Sequence, residues 1–366
     1  MIRKNFRRLL TTLILGSATL LQANDCECLP LEAPCPQLYF GVDFIYWKPC
    51  IDDLDFTAQY LPTTEGINST LELKYKSICP SWNPGVRITA EIPAFCKGLQ
   101  LAGSYTYVNV KEVRRVASRF QNTLSPLNIH PAIINFVGNT LFDDAKGSLN
   151  IRYQDANILL EYPYIFSGTQ KVTPYVGVEL MSLIEQQYSR YRTSVIILDE
   201  RLETILESKW RSDYFGIGLT GGTEIQIELC EKLAFVANAS ASILTGDAET
   251  KCKQMLHVPS GFSTIDAFMY KDDDCCHIIP GYHIQCGLNY SSFDLGCAYS
   301  FRFGYEFVEW QNVSNIRRFT DIVQSPVTDP EPIDIDLSGG GAANSTQTNI
   351  TDLGFHGLFV GLDLTF

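Results

Sequence analysis

Leu353-Gly354-Phe355-His356-Gly357-Leu358-Phe359-Val360-Gly361-Leu362-Asp363-Leu364-Thr365-Phe366 closes the chain, and its reading decides the fold. Side chains alternate across a strand, so the stretch divides into two faces. His356, Leu358, Val360, Leu362, Leu364 and Phe366 share one, mostly large and apolar. Phe355, Gly357, Phe359, Gly361, Asp363 and Thr365 share the other. A last strand with one greasy face and a final aromatic residue suits the closing strand of a barrel in lipid. A strand of a soluble sheet carries the same alternation, so the rest of the chain has to discriminate.

The opposite end discriminates first. Arg3, Lys4, Arg7 and Arg8 form a basic stub, and Leu9 to Leu21 form an apolar run. Gln22-Ala23 offers a small-residue cleavage point. This is the layout of a secretory signal peptide, and the run is shorter than the ~20 residues of a membrane anchor. We therefore expect residues 1–23 to be removed, residues 24–37 to form a cysteine-rich periplasmic segment, and residues 38–366 to form the barrel. Without the leader, 24 basic residues face 41 acidic ones, a net charge of −17. That acidity argues against nucleic acid as a partner. Hydrophobic residues make up 45% of the chain, yet no later segment reaches the ~18 apolar residues of a spanning helix. An exported β protein remains, either secreted or in the outer membrane.

Alternating runs recur along the chain. In Phe293–Trp310, Phe293, Leu295, Cys297, Tyr299, Phe301, Phe303, Tyr305 and Phe307 share one face. Asp294, Gly296, Ala298, Ser300, Arg302, Gly304 and Glu306 share the other. Leu38–Lys48 puts Phe40, Val42, Phe44 and Tyr46 on one side and Gly41, Asp43 and Trp47 on the other. Further runs cover 84–92, 98–110, 149–165, 172–190, 204–228, 233–244 and 281–290. The connections between these runs alternate: residues 92–98, 167–171, 229–232 and 291–292 are short, and residues 49–83, 111–148, 191–203, 245–280 and 311–353 are long and polar. A membrane barrel sorts its loops this way, with short periplasmic turns and long outer loops. We therefore expect an all-β, transmembrane, antiparallel up-and-down barrel of about ten strands, within a range of eight to sixteen. Residues 354–366 should pair with Leu38–Lys48, leaving no edge. Residues 70–78 could add a hairpin, and the apolar stretch 126–138 reads as a short helix folded into the lumen or mouth.

Twelve cysteines follow the leader: Cys26, Cys28, Cys35, Cys50, Cys79, Cys96, Cys230, Cys252, Cys275, Cys276, Cys286 and Cys297. In an oxidising compartment all are disulfide candidates, with a connectivity that sequence does not give. A two-residue turn at Ser291-Ser292 would set Cys286 opposite Cys297, either as a cross-strand disulfide or as two thiols in lipid. Cys252, His257, Cys275, Cys276 and His277 fall in one loop. Adjacent cysteines lack the spacing of a zinc site, which favours disulfides within that loop over a metal. Asp272-Asp273-Asp274 reads as a solvated acidic run. The five histidines match no hydrolase motif, so neither catalysis nor a cofactor is expected.

Phe40-Gly41-Val42-Asp43-Phe44-Ile45-Tyr46-Trp47-Lys48-Pro49 resembles the first strand of the major-outer-membrane-protein-like porins, the Chlamydia-type envelope porins and the related Legionella family. Gly304-Tyr305-Glu306-Phe307-Val308-Glu309-Trp310 resembles their penultimate strand, Thr173-Pro174-Tyr175-Val176-Gly177-Val178 a middle strand, and 354–366 the closing strand. The resemblance implies a general porin of a Gram-negative outer membrane, often cysteine-crosslinked in the envelope. Cys26, Cys28, Cys35, Cys96 and Cys230 would then sit where periplasmic crosslinks form. Expected partners are outer-membrane lipid, small hydrophilic solutes or ions, and disulfide-linked envelope proteins or further copies of the chain. Asp43, Asp294, Arg302, Glu306 and Asp363 are the pore-lining candidates, since inward charges of both signs tune ion selectivity. Two readings of these charges stay open: a passive pore, or a salt-bridged filling of a narrow barrel in a structural or adhesive protein.

Overall fold

The computed structural model describes residues 38–52, 54–63, 70–93, 98–118, 123–127, 129, 141–167, 169–197, 200–257, 265–294, 297–319 and 346–366. The expected leader and the cysteine-rich segment after it lie outside these residues. The chain opens with β1 (Tyr39–Ile51), β2 (Asp55–Thr63), β3 (Thr70–Ser77), β4 (Asn83–Pro93) and β5 (Gln100–Ala117). It continues with β6 (Leu124–Pro126), β7 (Asp144–Glu161), β8 (Tyr164–Ser167), β9 (Gln170–Ile197) and β10 (Glu200–Cys230). It ends with β11 (Leu233–His257), β12 (Ile265–Asp294), β13 (Cys297–Phe319) and β14 (Thr346–Thr365).

Ten of these strands close on themselves, in the order β1–β4–β5–β7–β9–β10–β11–β12–β13–β14 and back to β1. Every neighbouring pair is antiparallel. The closing strand meets the first as expected, from Tyr39 opposite Thr365 to Ile51 opposite Leu353. The amides of Leu38 and Phe366 extend the ladder by exchanging hydrogen bonds of 3.1 and 2.9 Å. Closure satisfies every backbone group that a lipid environment could not.

The wall has its apolar face outward. On β1, Phe40, Val42, Phe44 and Tyr46 are exposed; on β13, Tyr299, Phe301, Phe303, Tyr305 and Phe307; on β14, Leu358, Val360, Leu362 and Phe366. The inward partners on β14 are the reverse, with Phe355 and Phe359 buried. Leu362 keeps 53% of its surface exposed while Asp363 beside it keeps 2%. In water this arrangement would be unfavourable at every second residue. In a bilayer it is the stable one.

Two expectations about the connections are corrected. β9, β10, β11 and β12 are 28, 31, 25 and 30 residues long, well beyond the ~9–11 that span a membrane. Residues 191–203 and 245–280, expected as loops, are therefore mostly strand, and β9 and β10 leave only residues 198–199 between them. The alternation does not stop at the edge of the apolar band; it changes its outer partner. On β11, Ala248, Thr250, Cys252, Gln254 and Leu256 stay buried, while Asp247, Lys251 and Lys253 point out. The second correction is the β12–β13 turn. Asp294 pairs with Cys297, so the ladder continues past Ser291-Ser292 and the expected turn is not there. Ser-Ser lacks the glycine that two-residue turns favour. Cys286 consequently faces Tyr305 rather than Cys297.

The connections that follow β1 and β5 fold inward. β3, β2 and β6 form a separate three-stranded sheet. Phe56, Ile78, Leu124 and Phe142 carry its buried apolar side chains into the same core as the wall residues. Tyr191 of β9 donates a hydrogen bond to the Phe56 carbonyl, and Gly147 of β7 leaves room for the Phe56 ring. The hairpin suggested by residues 70–78 therefore exists, as a plug and not as wall. Of the expected helix at 126–138, Pro126 ends β6 and Ile129 is buried, and residues 130–138 lie outside the described residues.

Candidate functional site

The lumen is layered along the barrel axis. Tyr39, Asp43 and Trp47 lie in that order on β1, and the other strands follow in register. Toward the end of the barrel that carries Tyr39 and Phe366 is a polar chamber with a cavity of about 140 Å³, room for roughly ten waters. Six carboxylates line it, from Asp43, Glu91, Asp155, Glu161, Glu179 and Glu224, against two guanidiniums, from Arg87 and Arg302. Carboxyl groups thus outnumber guanidiniums in its lining.

The chemistry begins at the seam between β1 and β14. Each strand carries Gly-x-Asp: Gly41-Val42-Asp43 and Gly361-Leu362-Asp363. Antiparallel pairing sets Gly41 opposite Asp363 and Asp43 opposite Gly361. Each carboxylate lies flat over the opposite glycine, and a β-carbon on either glycine would run into it. Arg302 of β13 covers both, with Nη2 3.0 Å from Asp43 Oδ1 and Nε 2.7 Å from Asp363 Oδ2. Ser300 donates to Asp363 Oδ2 at 2.9 Å.

A second node is Glu306 of β13. Its Oε1 accepts from Trp47 Nε1 at 2.8 Å. Its Oε2 accepts from Arg87 Nη2 at 2.9 Å and lies 3.1 Å from His283 Nε2. Arg87 also reaches Asp43 at 3.6 Å, donates from Nε to Thr106 at 3.2 Å, and stacks over the Trp47 ring at 5.8 Å. The two nodes share Asp43 and form one network across the lumen. Burying such charges is tolerable only because every one is paired.

An aromatic layer sits directly above. Trp47 and Tyr153 pack on Phe355 with ring centres 5.3 and 5.1 Å apart, and Trp310 donates to the Tyr153 hydroxyl at 3.1 Å. Beyond it buried apolar side chains predominate, with Glu185, Gln187, Ser208 and Gln254 buried among them. One buried cluster takes residues from β1, β5, β7, β9, β10, β11, β12, β13 and β14 and from the plug. Wall and plug side chains meet in this one cluster.

Of the five pore-lining candidates, Asp43, Arg302, Glu306 and Asp363 come together. Asp294 closes β12 instead of opening β13, and its side chain lies outside the described residues. Sequence reasoning missed Arg87, His283, Asp155 and Glu179. A signal existed for Arg87: Gly85, Arg87, Thr89 and Glu91 alternate with Val86, Ile88 and Ala90, the same two-faced pattern as β1.

Seven cysteines, Cys50, Cys79, Cys230, Cys252, Cys275, Cys276 and Cys286, are free thiols. The strand register does not bring Cys252 beside Cys275 or Cys276, the pairing expected within the outer loop. Cys252 points inward opposite Tyr270, whereas Cys275 and Cys276 stand exposed near Ala248, several registers away. Cys230 is exposed at the short β10–β11 turn, and Cys50 at the far end of β1. The side chain of Cys297, and all of Cys26, Cys28, Cys35, Cys96 and His130, lie outside the described residues. His277 is held by Asp274 Oδ2 at 3.0 Å and the Asn312 carbonyl at 2.7 Å. No group of three or more potential metal ligands occurs among the described residues.

The family described as Legionella pneumophila major outer membrane protein precursor matches residues 32–366. The chain belongs to this family of outer-membrane proteins. The match takes in the whole wall, both halves of the seam and the plug, so the layered lumen lies entirely within the matched region. Among solved structures, the outer membrane protease OmpT of Escherichia coli is similar at 10% identity and a TM-score of 0.36, over 93% of this chain and 99% of that one. The Pseudomonas putida toluene transporter TodX follows at 6% and 0.28, over 91% and 90%. A Pseudomonas aeruginosa FadL homologue is similar at 8% and 0.23, over 90% of each. No curated protein sequence matches the chain.

Proposed function

We propose that this outer-membrane barrel is a channel for small hydrophilic solutes, preferring cations, and shut in the conformation described. The observation that carries this is the unbalanced chamber, with six carboxylates against two guanidiniums facing the cavity. A barrel filled only for stability would gain from apolar or fully paired residues there, because uncompensated buried charge is unfavourable. Aqueous cations would make up the balance. Opening requires the plug sheet to leave, since the apolar layer is completed by Phe56, Ile78, Leu124 and Phe142.

That same layer favours a second reading, a structural or surface-presenting barrel without a wide pore. Planar-bilayer recording separates the two. The refolded protein should be mostly silent. A variant with residues 54–81 replaced by a short Gly-Ser linker should show discrete, cation-selective steps. Silence from that variant, folded by heat-modifiability, would leave only the structural reading.

Envelope crosslinking extends either reading. Cys230 is free and exposed at the short β10–β11 turn, on the end of the barrel that carries Tyr39 and Phe366. Non-reducing gels of isolated envelopes should show ladders that collapse with reductant and shorten in Cys230→Ser. Identical monomer mobility with and without reductant would remove the idea.

A further inference from the structure

We propose that Asp155 and Glu179 hold a hard cation, of the calcium class, inside the lumen. Asp155 lies on β7 and Glu179 on β9, where Asn157 pairs with Glu179 and Asp155 with Met181. The two carboxylates are thus diagonal neighbours on the inner face, each with 8% of its surface left exposed. Both line the polar cavity. Among the described residues neither forms an ion pair; the nearby guanidinium of Arg87 is taken by Glu306 and Asp43.

The Asp155 Oδ1 oxygen is the telling atom. It is buried, it belongs to a residue lining the cavity, and it has no hydrogen-bond partner. Glu179 accepts from the Ser242 hydroxyl, which itself lies 2.8 Å from Thr220 Oγ1. The available donors are therefore carboxylate, hydroxyl and amide oxygens, the last from Asn157. Hard cations take oxygen ligands and complete their shell with water, for which the cavity has room. Cysteine does not line the cavity and His283 is engaged by Glu306, so soft or borderline metals have no ligand set here. The site deepens the cation-preferring reading of the lumen without requiring the barrel to conduct.

The test uses the full refolded chain in detergent, stripped with a chelator and titrated with calcium. Terbium serves as the luminescent probe, with Tyr153 of the same cavity as its antenna. The wild type should bind about one terbium per chain, displaceable by calcium, and calcium should raise its heat-modification temperature. Asp155→Asn and Glu179→Gln should each lose both responses, and Glu249→Gln on an outer hairpin should keep them. Should Asp155→Asn fail to fold, Glu179→Gln carries the comparison alone. A wild type indifferent to calcium, as expected if the two carboxyls merely share a proton, would overturn the proposal. So would undiminished binding in both lumen variants. A protein that conducts without binding calcium sinks this inference and leaves the channel. One that binds calcium but stays silent without its plug does the reverse.

Discussion

Glu306 concentrates the interior chemistry in one side chain, with Trp47, Arg87 and His283 all directed at its two oxygens. Replacing it by Gln keeps the shape and an acceptor for Trp47, but turns an amide donor toward Arg87 and leaves that guanidinium short of a counter-charge. Breaking one side of a buried pair costs ~3–5 kcal/mol, so Glu306→Gln should lower unfolding stability by about that much. Denaturant unfolding in phospholipid vesicles measures it, and a loss within error of zero would mean water already solvates the pair. This residue was legible in sequence as an inward charge, because the Phe293–Trp310 alternation places it. Its partners were less so. Arg87 sits in a run with the same alternation, but a polar face alone does not say which strands meet across a lumen. Asp155 and Glu179 become a pair only through the β7–β9 register. Asp294 was misplaced because the ladder runs past the expected turn and leaves it on the neighbouring strand.

At the scale of elements, strands β9 to β12 keep one inner pattern and exchange their outer one. Lipid-facing Ile217, Leu219 and Ile243 give way to Lys209, Arg211, Asp213, Lys251 and Lys253 farther along the same strands. Reading polar stretches as loops therefore truncated them. The hydrophobic count falls at the membrane surface while the period of two continues. This switch predicts a position-dependent cost. Phe303→Arg, opposite Val360 within the apolar band, should destabilise by ~2–4 kcal/mol. Ile205→Arg on the outward face beyond the band should stay within ~0.5 kcal/mol. Equilibrium unfolding in bilayers checks both, and equal costs would place the membrane elsewhere on the barrel. Ion pairs such as Arg211–Asp213 at 2.7 Å and Lys271–Glu249 at 3.1 Å decorate the projecting hairpins. Being exposed, each is worth only ~0–1 kcal/mol.

At the scale of the whole barrel, a ten-stranded wall encloses a layered filling: a carboxyl-rich chamber, a charged network, an aromatic layer, and a plug made from the connections after β1 and β5. The wall and its closure were legible because lipid imposes a strict two-sided pattern and sorts connections by side. The plug was not, because Phe56, Ile78 and Leu124 lie in segments whose local composition does not say whether they face water or a lumen. In the proposed channel, the plug and not the wall keeps the barrel shut. Osmotic swelling of proteoliposomes in a small neutral sugar tests it most directly. The account predicts no swelling above empty liposomes with the intact chain, and rapid swelling once residues 54–81 are replaced by a linker. Equal rapid swelling from both proteins would contradict it, since solute would then pass without the plug moving.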